Sequence, residues 1–118
     1  VSIGLVAGDG GAAMWPLLMG LLKAKEYLLT GDRIPADVCV ELRLANHAVP
    51  REELMPRAME MAHRLAEQPT QAIQGTKAAI NLHVRNALNL VAPFALAAES
   101  ESFTTDDIRK TIEGFKKK

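Results

Sequence analysis

Gly8-Asp9-Gly10-Gly11 places three glycines and one carboxylate between a short apolar run, Ile3 to Ala7, and a long apolar run with helical spacing. Glycine admits positive φ and leaves no Cβ to block a close approach, and the first turn of a following helix leaves N–H groups unpaired and electropositive. Such a turn favours an anion, or a negative charge that develops during a reaction. Asp9 has two readings on these grounds. It either caps the helix that begins near Ala12, or it faces the bound molecule, where a carboxylate suits nucleophilic attack or charge stabilisation.

Other residues with chemical potential are weaker. Gly8 to Ala13 also satisfies the G-x-G-x-x-A spacing of a dinucleotide site, with Asp32 further on. That fold needs a second strand ending at the acid, whereas Leu18 to Leu29 keeps helical spacing. Glu60 and His63 have the E-x-x-H spacing of a di-iron bundle, yet no second copy follows. His47 and His83 are isolated, and no metal site is expected. Cys39 stands between Val38 and Val40 and reads as a packing residue. Trp15, with Met14 and Met19, either lines an apolar ligand pocket or belongs to the helical core.

The elements that must position these residues follow from spacing. Ser2 to Val6 reads as a short strand whose backbone needs partners that these residues do not provide, as if the chain were cut from something longer. Ala12 to Leu29 reads as one helix with Pro16 near its first turn and Gly31 as its C-terminal cap. Pro35 and Asp37 open a short helix through Leu42, and Leu44 to Val49 is a short strand or extended connector closed by Pro50. Leu54, Ala58, Ala62 and Leu65 share one face of the next helix, with Glu60 and Arg64 spaced for an ion pair. Thr70 is placed to cap a helix through Lys77 toward Asn81, and a further Ala-rich helix spans about Val84 to Phe103, with Pro93 set to kink or divide it. A last helix begins at Thr104 or Thr105, with Asp106 and Asp107 at its positive end and Ile108, Ile112 and Phe115 as its apolar stripe.

Composition agrees with a mainly helical body. Of 118 residues 48% are hydrophobic and only 4% aromatic, so the apolar surface is mostly alanine, leucine, valine and methionine. Fourteen basic residues balance fourteen acidic ones, which gives no field that would argue for nucleic acid or a membrane as partner. One cysteine excludes an internal disulfide framework, and no signal peptide or apolar span of bilayer length is visible; a soluble, cytoplasmic protein is expected.

Taken in order, Ile3-Gly4-Leu5-Val6, Gly8-Asp9-Gly10-Gly11, Leu28 to Ile34, Leu44-Ala45-Asn46 and Lys77 to Asn81 resemble the C-terminal half of the crotonase, or enoyl-CoA hydratase/isomerase, family across essentially the whole chain. The resemblance implies a mainly α fragment of an α/β crotonase-like fold. A short strand and five to six helices are expected, with residues 1–50 ending the spiral core and 51–118 forming a helical oligomerisation region. It implies an acyl-CoA thioester as substrate, no separate cofactor, and an enolate-like intermediate held by two backbone N–H groups. Those donors and the family's catalytic glutamates lie upstream of Val1, so these 118 residues alone should not catalyse hydration.

Within the chain, Gly8 matches the first glycine of the family's G-x-G-G, whose N–H looks toward the reacting water in hydratases, and Gly10 belongs to the same substrate-facing turn. Lys118 matches a basic residue that reaches the CoA phosphates, often those of a neighbouring subunit, and Phe115 the aromatic residue before it. Asp9 departs from the small residue usual in hydratases. It resembles instead the nucleophilic aspartate of chlorobenzoyl-CoA dehalogenases. Met14 and Leu17 replace arginines, Arg43 stands where the family usually has glycine, and Lys110-Thr111 replaces a frequent Glu-Gly pair. The family's C-terminal helices pack subunits into trimers or dimers of trimers. The alternative function is therefore that of a non-catalytic assembly module, if the 118 residues were a complete protein.

Overall fold

Gly20 divides what apolar spacing reads as one helix. In a computed structural model, which describes residues 1–116, α1 (Gly11–Met19) and α2 (Leu21–Thr30) meet at Gly20, with φ 81° and ψ 161°, a backbone region that only glycine occupies without strain. Its N–H closes α1 on the Pro16 carbonyl (3.1 Å), and its own carbonyl receives the Ala24 N–H of α2 (3.1 Å). The apolar pattern runs through the break because the two helices pack against each other and share one apolar surface. Gly31 caps α2 as expected, left-handed at φ 74° with its N–H on the Tyr27 carbonyl (2.9 Å).

After Pro35, α3 (Ala36–Glu41) forms as expected, and Cys39 is half-buried with its thiol directed at the Ile34 carbonyl. The chain then turns through Arg43, a non-glycine residue in the left-handed region at φ 64°. Leu44 to Val49 is a connector: the Leu44 and Ala45 N–H groups both donate back to the Cys39 carbonyl (2.8 and 3.1 Å). A single 3-10 turn (Arg51–Glu53) leads into α4 (Leu54–Ala66). On α4, Glu60 pairs with Arg57 rather than with Arg64.

Helix α5 (Thr70–Ser102) runs unbroken for 33 residues, where spacing suggested two helices. Leu82 and His83 bridge the expected gap and carry no helix breaker, and Pro93 is accommodated inside the helix. Thr70 is helical and not a cap; Pro69 holds the cap position, with no side-chain hydrogen bond. Helix α6 (Asp106–Lys116) starts with Asp106 and Asp107 in its first turn, as its charges suggested.

Among the described residues there is no strand. Val1 to Gly4 form a turn (Gly4 N–H to Val1 O, 2.8 Å), and Leu5 to Ala7 carry no regular secondary structure and join no ladder among the described residues. The segment lies instead along the C-terminal half of α5 and the start of α6, so closely that a Cβ on Gly4 would stand 3.0 Å from the Ile108 nitrogen.

Few side chains are enclosed. The buried apolar residues are Ala13, Ala24, Ala95 and Ile108, while Phe94 is 80% and Leu22 86% exposed. The Cα radius of gyration is 18.2 Å, against about 13.5 Å for a compact domain of this length. The chain exposes 9480 Å², where a folded monomer of its mass exposes about 6,300 Å². Roughly 3,000 Å² therefore exceeds what a closed globule would leave to water. No helix is long and apolar enough to cross a membrane among the described residues.

Candidate active site

Three elements meet at the glycine turn. Residues 7–10, the first turn of α1 and the middle of α5 enclose a cleft of about 220 Å³. From α5 come Leu88, Val91, Ala92, Ala95 and Leu96, positions spaced by three and four that share one helical face. Ala12 and Ala13 line it from α1. The wall is thus aliphatic and built mostly from small side chains, with backbone and one carboxylate at its end.

The glycines of the turn are required for different reasons. Gly8 is buried, and a Cβ there would lie 2.6 Å from both Cβ and Oε2 of Glu99 and 2.9 Å from the Ala95 carbonyl oxygen. Its missing side chain is the space that α5 occupies. Gly10 has open space around it, and its need is conformational: φ is 118°, and it forms the N-terminal cap of α1. Its carbonyl accepts from the N–H groups of Ala13 (3.1 Å) and Met14 (2.9 Å). The N–H groups of Gly11 and Ala12, one turn too early to find a carbonyl in their own helix, give that end of the cleft a positive potential.

The Gly8 N–H donates to the Val6 carbonyl (2.9 Å), closing a tight three-residue turn at Ala7. In this arrangement that donor is engaged within the chain. Asp9 lines the cleft, is exposed, and makes no capping hydrogen bond. The capping reading of Asp9 is therefore corrected: Gly10 occupies the cap position, which puts the Asp9 side chain one residue too early to reach the first-turn donors. Asp9 is the ionisable side chain among the residues lining the cleft.

Trp15 is half-buried on α1 and does not line the cleft; Met14 and Met19 are also half-buried. Phe115 is exposed on α6. Lys118 lies outside the described residues. Among the described residues no group of three His, Cys, Asp or Glu side chains converges as a metal site. Sequence reasoning missed Glu99, which packs against Gly8 from the far end of the chain. Its setting, Ala97-Ala98-Glu99-Ser100, carries no signal that separates it from a solvated helix position.

Comparison with known proteins identifies the family and the fold. The enoyl-CoA hydratase/isomerase family model matches residues 1–118. A short-chain-enoyl-CoA hydratase of Clostridium acetobutylicum is 30% identical, with 98% of this chain and 48% of that protein covered. A crotonyl-CoA hydratase of Syntrophomonas wolfei is also 30% identical, over 100% of this chain and 45% of that protein. The crystal structure of an enoyl-CoA hydratase/isomerase from Mycobacterium paratuberculosis superposes with a TM-score of 0.89 at 45% identity, covering 95% of this chain and 44% of that one. The chain spans about half the length of the curated relatives it matches. With the family model matched from end to end and the fold shared with a solved member, the chain belongs to the enoyl-CoA hydratase/isomerase family.

Proposed function

We propose that this chain forms one wall of an acyl-CoA thioester site in an enzyme of the enoyl-CoA hydratase/isomerase type. The observation that carries the reading is the cleft itself, where an aliphatic face of α5 meets the positive end of α1 at a turn without side-chain bulk. The α5 face suits a short, unsubstituted acyl group, whose contact with Ala92, Ala95 and Leu96 is driven by removal of apolar surface from water. The thioester carbonyl then lies toward the turn. Negative charge that develops on it as the enolate forms is stabilised by preorganised backbone donors, and the principal pair comes from residues outside these 118.

Asp9 acts at the thioester end of the cleft as a nucleophile or as a charge that steers the reacting group, a role supported by its place in the lining and by the lack of a capping bond. Coenzyme A enters as part of the substrate, and no separate cofactor is required. The named activities of the relatives, hydration of crotonyl-CoA and of short-chain enoyl-CoA, make crotonyl-CoA the first substrate to test. The product of the full reading frame that contains this chain is expected to hydrate it, followed as loss of the conjugated thioester absorbance. No hydration, isomerisation or hydrolysis of crotonyl-CoA or of longer enoyl-CoA would refute the assignment.

A second reading concerns assembly. The surplus of roughly 3,000 Å², together with exposed Leu54, Met55, Met59 and Leu65 on α4, favours burial of this chain against further polypeptide, including other copies in a trimer or dimer of trimers. Sedimentation equilibrium at several concentrations tests this directly. A monomer at all of them contradicts burial against other copies.

A further inference from the structure

We propose that Ser102 is a positioning residue for the glycine turn, acting through Val6 on the placement of Gly8; the catalytic part of this proposal rests on the acyl-CoA reading above. Ser102 is the buried polar side chain of the described residues, 7% exposed at the C-terminal end of α5. A serine near the end of a helix ordinarily turns its hydroxyl to the preceding turn, and this one does so, donating to the Ala98 carbonyl (2.9 Å). With its proton committed there, the oxygen is left as an acceptor, and it takes the Val6 N–H at 3.3 Å. The Val6 carbonyl in turn accepts the Gly8 N–H at 2.9 Å.

The result is a series of bonds from α5 through one hydroxyl and the two peptide units that flank the Val6 Cα into the turn. Donation to Ala98 makes the hydroxyl oxygen a better acceptor for the Val6 N–H, and both polar groups of Val6 are held although no strand lies beside the segment among the described residues. This series also sets the sliding register of that segment. Gly8 meets α5 at Ala95 and Glu99 with no room for a Cβ, so a small slip of residues 5–8 would drive the turn into the helix or away from it. Without Ser102, α5 holds the segment only by contact.

Ser100 supplies a matched control. It makes the same back-bond, to the Leu96 carbonyl at 2.8 Å, but it is exposed and holds nothing beyond its own helix. In the product of the full reading frame, amide exchange by mass spectrometry and crotonyl-CoA kinetics are compared for the parent, Ser102→Ala and Ser100→Ala. Ser102→Ala is expected to speed exchange of peptides carrying Val6 to Gly8 by about tenfold and to lower kcat about fivefold, with KM changed less than about twofold. Ser100→Ala is expected to change neither. Ser102→Cys, which keeps the volume with a weaker acceptor, is expected to fall between and serves if the alanine variant does not fold. The proposal is overturned by parent-like exchange at residues 6–8 in Ser102→Ala, by equal effects of the two serine variants, or by faster exchange with unchanged kcat. If the parent itself turns over no enoyl-CoA, the acyl-CoA reading fails separately, and the exchange data alone decide whether Ser102 holds the turn.

Discussion

Replacing Gly8 by alanine introduces a methyl group where α5 already stands. The new carbon would lie 2.6 Å from the Glu99 Cβ and 2.9 Å from the Ala95 carbonyl oxygen, against about 3.5–4.0 Å for comfortable contact between carbons. The Glu99 carboxylate, also at 2.6 Å, swings away at little cost, but the other two atoms are fixed to a continuous helix. Relief therefore requires the turn and α5 to separate by about 1 Å. Overpacking of this kind costs about 1–3 kcal/mol, and the rigidity of both neighbours puts Gly8→Ala near the upper limit.

Urea unfolding of the product of the full reading frame reads the loss as a lower midpoint at unchanged slope. A double-mutant cycle sharpens the reasoning. In the Gly8→Ala background, Glu99→Gly removes one obstruction and leaves the Ala95 carbonyl in place, so part of the loss, and only part, should return after the cost of the new helical glycine is counted. Crotonyl-CoA turnover should fall by about 100-fold, since a displacement of about 1 Å is enough for that. A Gly8→Ala protein within about 0.5 kcal/mol of the parent would refute the claim that α5 occupies the space of the missing side chain.

Three further substitutions separate conformation from contact. Gly20→Ala meets no neighbour within 4 Å, yet it should cost about 1–3 kcal/mol through backbone strain alone; an unchanged denaturation midpoint would show that the joint between α1 and α2 adopts another conformation. Arg43→Gly should stabilise by about 0.5–1 kcal/mol, because φ 64° strains a side chain and not a glycine, and a lower midpoint would contradict it. Asp9→Asn should leave stability within about 0.5 kcal/mol, as no capping bond is lost, while kcat falls by about 10²–10³ or more; full activity would remove Asp9 from the mechanism.

Much of this was legible in the residues, and the misreadings have definite causes. The glycine turn, the Gly31 cap, the Pro35 start of α3 and the charged start of α6 are local features whose preferences are decided within a few residues, and they appear where expected. The break at Gly20 was hidden because apolar spacing continues across it when both helices share a surface. The two helices expected toward Asn81 and from about Val84 join as α5, since no breaker stands between those residues. Arg43 was noted as a departure from the family's glycine, and its positive φ gives the physical reason glycine is favoured there. The contact of Glu99 with Gly8 and the hold of Ser102 on Val6 join positions far apart in the chain. No periodicity or short motif encodes such pairings, and only the packing of α5 reveals them.

The central claim is that the glycine turn and the aliphatic face of α5 together contact an acyl-CoA thioester. Amide exchange in the product of the full reading frame, measured with and without saturating acetoacetyl-CoA as an unreactive probe, tests it most directly. Slower exchange is expected in peptides covering residues 7–13 and 88–96, the segments that line the cleft. Unaltered exchange in both segments, with protection confined to other parts of the protein, would contradict the account.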